Sequence, residues 1–316
     1  MDLKNRQLRE IYADLLVEEA KNNPNLVVVE ADLTKAIKNN QFFEKHPERA
    51  INVGVAEANM IGVAAGLANM GKLPFTHTFT PFATRRVFDQ VTLSVAYAGL
   101  NVKMVGSDPG VMAQLNGGTH MSFEDVGLMR NLPTMTIVEP VDGVQLASLL
   151  PQIAAHQGPV YIRLLRQDFD PIFKEGETFE IGKAKTIKEG KDVTIFATGI
   201  MLKEALDAQA LLAEKGIDAG VINLHTTKPI DQEAIIKAAK QTKAVVTAEN
   251  HNIINGLGSA IAEVLGEHCP TPMERVGVKD HFGEVGKKDF LMEKFNLKAK
   301  DIVKAVENVL KRKDAS

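Results

Sequence analysis

One carboxylate stands apart in this chain. In INVGVAEANMIGVAAGLANMG, residues 51–71, Glu57 is the only charged side chain. It sits where a strand-like run gives way to a helix of Ala, Gly, Met, Ile and Val. Small residues permit close packing, so its surroundings are expected to be dry. Desolvation would raise its pKa and a helix N-terminus would lower it. Composition leaves two uses open, a handle for proton chemistry or a partner for first-turn amides. His120, in NGGTHMSFEDVGLMR, could stabilise charge because imidazole titrates near neutrality; a lone loop histidine is more often structural. Arg163 and Arg166 in VYIRLLRQDF follow a strand-like run, and guanidinium forks suit sugar phosphates. In VVVEADLT a buried strand delivers Asp32, Leu33 and Thr34, where open α/β sheets place ligand contacts; Asp32 could equally cap the next turn. Phe79 and Phe82 stand three apart before a helix, a spacing that usually means core. Gly256–Leu257–Gly258 precedes another helix and could cradle a phosphate. It lacks the full GxGxxG spacing, so packing and a tight turn are the preferred reading.

The elements that must position these residues alternate. Strands are expected at Leu26–Glu30, Val102–Val105, Met135–Val138, Val160–Leu164, Val193–Ala197, Ala219–Asn223 and Ala244–Ala248. Helices are expected at Ala58–Met70, Arg85–Tyr97, Gly143–Ala154, Leu202–Lys215, Gln232–Lys240 and Lys298–Lys311. The N-terminal stretch reads as a charged amphipathic helix with Leu8, Ile11 and Leu15 on one face. The last helix should turn Ile302, Ala305 and Val306 inward. Such alternation predicts mostly parallel sheets covered by helices on both faces. Helical periodicity fails near residues 168–192, a charged stretch with Pro171 and several glycines. The expected organisation is therefore an α/β domain over residues 1–168, a linker with room for a short hairpin over 169–191, and a second α/β domain over 192–316.

The length of 316 residues suits two domains. A net charge of −3 gives no general attraction to nucleic acid or an anionic membrane, and scarce aromatics (5%, no Trp) argue against a base-stacking platform. Cys269 is the single cysteine, which excludes an intrachain disulfide or a cysteine metal cluster and reads as a small buried hydrophobe. Neither an apolar leader core nor a long uncharged span is present, so a cytoplasmic address is expected.

Taken together, these segments resemble the transketolase family over nearly the whole chain, as a pyrimidine-binding domain followed by a transketolase C-terminal domain. The resemblance implies thiamine diphosphate as cofactor, with Glu57 hydrogen-bonding a ring nitrogen of its aminopyrimidine and so activating it. Many relatives carry Arg and His on either side of this glutamate; Ala56 and Ala58 stand here. Asp32 and Leu33 would lie near the cofactor, and Phe79 and Phe82 would line the aminopyrimidine pocket, a later aromatic position falling near Arg85. The Gly-Thr-His stretch resembles the family's Gly-Pro-Thr-His loop with Gly118 in place of proline, which puts His120 against a substrate oxygen. An acid found four residues earlier in relatives is Asn116. Arg166–Gln167 matches a phosphate-binding Arg-Gln pair, and Arg6 lies where another such arginine is found, whereas a phosphate-binding histidine and serine are replaced by Ser107 and Ala36. DVTIFATGIMLKEALDA, TTKPID and AENHNIINGLGSAIAEVL resemble the C-terminal domain.

The resemblance also implies a second chain. The Gly-Asp-Gly segment with which relatives hold Mg²⁺ against the cofactor's diphosphate does not occur here, so no metal ligand is assigned to this chain. A partner N-terminal subunit is expected to supply those ligands, in an α₂β₂ assembly. The leading expectation is the C-terminal subunit of a two-component transketolase, moving a two-carbon ketol unit from a ketose phosphate to an aldose phosphate. A 2-oxoacid dehydrogenase beta subunit and a deoxyxylulose-phosphate-synthase-like enzyme share the plan. A non-catalytic interaction subunit is the alternative of another class.

Overall fold

The computed structural model describes residues 2–314; Met1, Ala315 and Ser316, which fall within the expected domain spans, lie outside the described residues. Among the described residues, twelve strands form two sheets. The first contains β1 (Leu26–Glu30), β2 (Ala50–Asn52), β3 (Leu73–Phe79), β4 (Lys103–Ser107), β5 (Thr136–Val138) and β6 (Val160–Leu164), and the second contains β7 (Lys185–Lys188), β8 (Val193–Ala197) and β9 (Ala219–Asn223). β10 (Thr226–Lys228) returns to the first sheet, and β11 (Val245–Asn252) and β12 (Met273–Val278) complete the second. Strand orders are β10-β5-β6-β4-β3-β1-β2 and β12-β11-β8-β9-β7. All pairings are parallel except β10 with β5 and β7 with β9. These are the two mostly parallel α/β domains that the alternation implied.

The apolar runs form strands because burial on both faces suits Val- and Ile-rich segments: LVVVE and VYIRL are buried throughout. β3 escaped the sequence reading. Its LPFTHTF carries polar Thr76, His77 and Thr78, all buried between β1 and β4. β7 lies within the stretch read as a linker, at the edge of the second sheet. β11 runs four residues past its expected end and brings Glu249, Asn250 and His251 into the interior.

The first helix, Leu8–Asn22, buries Leu8, Ile11, Tyr12 and Leu16, with Leu15 only half-buried, so its inward face is rotated from the expected one. The expected helix at Arg85–Tyr97 is instead three pieces: a 3₁₀ turn (Arg85–Val87), an α-turn (Phe88–Gln90) and a π-helix (Val91–Tyr97). Elsewhere the helices stand near their expected bounds, Gly143–Ala155 and Gln232–Thr242 starting where Asp142 and Asp231 accept from the amides of Gln145 and Ala234. The final helix, Ala299–Asp314, buries Ile302, Ala305 and Val306. One apolar core runs through both halves, joining Val138 and Leu164 with Ile195 and Val246. Among the described residues no helix is long and apolar enough to cross a membrane.

Candidate active site

The C-terminal ends of the central parallel strands deliver the side chains singled out above, at the edge where open α/β sheets meet ligands. β1 leads to Asp32, β3 to Phe79, β4 to Asp108 and β6 to Arg166, while β2 leads into the Glu57–Asn69 helix. Asp32 and Asp108 both take positive φ, +61° and +54°, a conformation that Asp tolerates better than most residues. Asn52 ties two of these ends together: its Oδ1 accepts from the amides of Asp32 (3.1 Å) and Gly54 (3.0 Å). Close approach at Gly106 sets the aromatic turn, since a Cβ there would lie 2.8 Å from Tyr161 Oη and 3.1 Å from Thr80 Cα. Thr80 Oγ1 can therefore donate to Ser107 O (2.9 Å) and fix the turn between Phe79 and Phe82.

Glu57 is buried at the helix start, and its carboxylate turns to a side chain rather than to a first-turn amide. Arg86 Nη1 donates to both carboxylate oxygens at 2.9 Å. The same guanidinium lies 3.7 Å above the centre of the Phe82 ring. Phe82 meets His120 edge-on at 5.0 Å, and His120 also packs against Phe79 at 5.5 Å. Arg166 lies over the other aromatic, 4.6 Å from the Phe79 centre. Arg86 thus links Glu57 to Phe82, and His120, Phe79 and Arg166 continue the run of contacts, drawn from residues more than a hundred positions apart. His120 Nδ1 is 2.9 Å from Thr119 Oγ1. Arg85 pairs with Glu124 (2.7 Å) and donates to Thr119 O (3.3 Å), bracing the loop that carries His120.

The candidate anion-binding arginines separate. Arg166 pairs with Asp108 at 2.5 Å, and burial holds the Asp108 carboxyl above its usual range despite that partner. Arg6 pairs with Asp14 at 2.6 Å and stays partly exposed. Arg9, which the sequence reading missed, reaches Ala36 O at 2.6 Å. Ser107 is buried and its hydroxyl donates to Thr78 O (3.3 Å).

Arg163 corrects an expectation. It is fully buried, with Nε and Nη2 on Asp125 (2.6 and 3.2 Å), Nη1 on Glu139 (2.7 Å) and Nη2 on Asn250 O (3.0 Å). Strand periodicity points it inward, where it joins the two halves and offers nothing to a substrate phosphate. Glu139 in turn accepts from Thr198 of the second half (2.7 Å). The Gly256–Leu257–Gly258 turn is similarly filled from within. Its Leu257 and Gly258 amides donate to the Glu249 carboxylate at 2.7 and 2.8 Å, and a Cβ on Gly256 would sit 1.9 Å from that carboxylate. Burial pushes Glu249 up to about 7 against those two hydrogen bonds.

His251 belongs to the same interior cluster. Its Nδ1 donates to Asn252 O (2.7 Å) and its Nε2 accepts from Gly127 N (3.4 Å), a neutral tautomer. Burial pushes it down to about 4, outweighing the nearby Asp125 carboxylate, with Arg163 acting in the same direction as burial. An unfolded histidine takes up its proton near 6.5 and the folded one near 4, so this contribution to stability is complete above pH 6.5 and is lost as pH falls through that window. Between neutral pH and pH 5 the expected loss is roughly 2 kcal/mol. Glu249, held near 7 by burial, gains stability over the same fall in pH, so the His251 contribution is read as the difference between wild type and His251→Gln in urea unfolding at the two pH values.

Two matches place the chain among known proteins. The pyrimidine binding domain of transketolase matches residues 4–171, and the transketolase C-terminal domain matches residues 182–302. The chain belongs to the transketolase family. It is 61% identical over 312 residues, 99% of this chain and 97% of the relative, to a 6-deoxy-6-sulfo-D-fructose transketolase subunit of Clostridium sp. (strain MSTE9). It is 35% identical to an apulose-4-phosphate transketolase subunit of Actinobacillus succinogenes, covering 86% of this chain and 88% of that one. A solved structure described as a split gene transketolase, inactive beta4 tetramer, superposes with a TM-score of 0.89 at 44% identity, covering 96% of this chain and 98% of that chain.

Transketolase membership implies thiamine diphosphate, and the site fits its aminopyrimidine on an observation made within the chain. A planar group that donates hydrogen bonds, the Arg86 guanidinium, already lies on Phe82 and bonds Glu57. A flat aminopyrimidine needs an aromatic face and a carboxyl at its ring edge able to share a proton, and both are present at this place.

Proposed function

We propose that this chain is the cofactor-activating subunit of a two-component transketolase, transferring a two-carbon ketol unit from an anionic ketose to an aldose phosphate. The observation that carries the reading is the buried Glu57 carboxylate joined through one guanidinium to the Phe82 face, with His120 packed on the same ring. Thiamine diphosphate, when bound, supplies the carbanion chemistry. Glu57 would hold the proton shared with a ring nitrogen of the aminopyrimidine, Phe79 and Phe82 would fix its plane, and Asp32 and Leu33 would border it. His120 Nε2 would donate to the substrate oxygen on which charge develops. Arg166 and Arg6 would receive the anionic end of the sugar.

A partner subunit is proposed to supply the diphosphate-binding domain and the Mg²⁺ ligands, in an α₂β₂ assembly. Support comes from the two relatives named as transketolase subunits and from the split-gene structure whose beta chains form an inactive tetramer. The donor's anionic end is proposed to be a sulfonate. Arg166 and Arg6 each already hold a carboxylate, so the site offers little net positive charge, and a singly charged group suits it better than a phosphate dianion. The 61%-identical relative is named for such a sugar.

The test is ketol transfer to ribose 5-phosphate with thiamine diphosphate and Mg²⁺ present. Donors are 6-deoxy-6-sulfofructose, fructose 6-phosphate and xylulose 5-phosphate, supplied to the chain alone and to its mixture with the candidate partner. Activity confined to the mixture and highest with the sulfonate is expected. Activity of the chain alone would contradict the two-component reading, and a preference for phosphate donors would overturn the sulfonate assignment.

A further inference from the structure

We infer that Arg86 is a built-in stand-in for the cofactor's aminopyrimidine, a latch over Glu57 and Phe82 that must swing aside for the cofactor to seat. The inference rests on the functional reading above. Its ground is the doubled contact: one guanidinium both stacks 3.7 Å from the Phe82 centre and gives Nη1 to the two Glu57 oxygens at 2.9 Å each. A guanidinium is flat, delocalised and rich in donors, and it stacks on aromatic faces. It therefore occupies the place over Phe82 and beside the Glu57 carboxyl, and a ring stacked on Phe82 and bonded to Glu57 would overlap it. Glu57 is buried but the Arg86 side chain is 46% exposed, so the latch has solvent to move into.

The neighbouring residues explain how one arginine moves while the rest of the site holds still. Arg85 is tied to Glu124 and to Thr119 O, and Val87 is buried in the core. Arg86 lies between these two anchors with its charge on Glu57. Swinging out leaves the Phe82–His120 contact intact, because His120 meets that ring edge-on at 69° while the guanidinium lies on its face. The latch also keeps the buried Glu57 carboxylate paired, which spares the isolated subunit an uncompensated charge. A site closed by its own side chain shows an affinity reduced by the fraction of molecules that are open.

The experiment is calorimetric and stopped-flow binding of thiamine diphosphate, with Mg²⁺, to the assembled two-subunit complex carrying wild-type chain, Arg86→Met or Arg86→Lys. Methionine keeps the apolar stem over Phe82 and removes the donors and the charge. Lysine keeps the charge but cannot lie flat on the ring. Arg86→Met is expected to tighten binding and speed association by about tenfold, the factor set by a latch closed in roughly nine molecules of ten. Arg86→Lys is expected to fall between it and wild type. Thermal unfolding of each variant confirms the fold. Unchanged or weaker cofactor binding in Arg86→Met would overturn the latch and make Arg86 a support for Glu57. If the wild-type complex binds no thiamine diphosphate, the functional reading itself fails, a result distinct from failure of the latch.

Discussion

Glu57→Gln in the assembled complex is expected to lower ketol transfer by about 10²–10⁴-fold, the range associated with a positioned proton-transfer group. Glutamine keeps the shape and one acceptor oxygen, so the helix start at Glu57 and its contact with Arg86 should persist in weakened form. What it cannot do is hold or release a proton at the carboxyl. The loss should fall on kcat and kcat/KM together, with little change in KM for the sugar, because the interaction removed is realised in the reacting complex. Steady-state kinetics and thermal unfolding of the same preparation check this. Undiminished activity would sink the catalytic reading and favour a non-catalytic subunit that kept the fold.

The second large effect concerns stability. Arg163→Ala should destabilise the chain by about 3–5 kcal/mol, because removing one member of a buried ion cluster strands the others. Asp125 and Glu139 would lose their cation, and Asn250 O would lose a donor. Burial alone would raise the Asp125 carboxyl; the Arg163 charge, helped by His251 and the hydrogen bonds from Arg163 and Tyr161, holds it below its usual range. Denaturant unfolding measures the change, which should shift the midpoint markedly. A stable Arg163→Ala protein with a raised KM for an anionic donor would restore the sequence expectation that this arginine binds substrate.

The contrast between Arg163 and Arg166 shows how far the sequence could be read. They stand three apart in one segment, and side-chain type recommends both for an anion. β6 ends at Leu164. Arg163 is therefore held within the strand and faces the seam between the two halves, whereas Arg166 lies past the strand end beside Asp108. Strand alternation could have separated them had the end of β6 been known to the residue. β3 was missed for a different reason. Its threonines and histidine look like surface, and only burial between β1 and β4, with Tyr12 Oη 2.5 Å from His77 Nε2 and His77 Nδ1 3.1 Å from Glu30 Oε1, makes them interior residues.

By itself the sequence determined the alternation of strands and helices, the isolation of Glu57 at an apolar helix start, and the motifs by which the family is recognised. Those are local properties: period, composition and spacing along a few dozen residues. Only the tertiary structure decided that Arg86 lies on Phe82 and Glu57, that Glu249 fills the glycine turn, and that Arg163 joins the two halves. Each of those depends on where a long or charged side chain finds its partner, and the partners are 29, 8 and up to 87 positions away. A charge buried by folding must be compensated by whatever the fold brings within reach, and separation along the chain does not encode that distance.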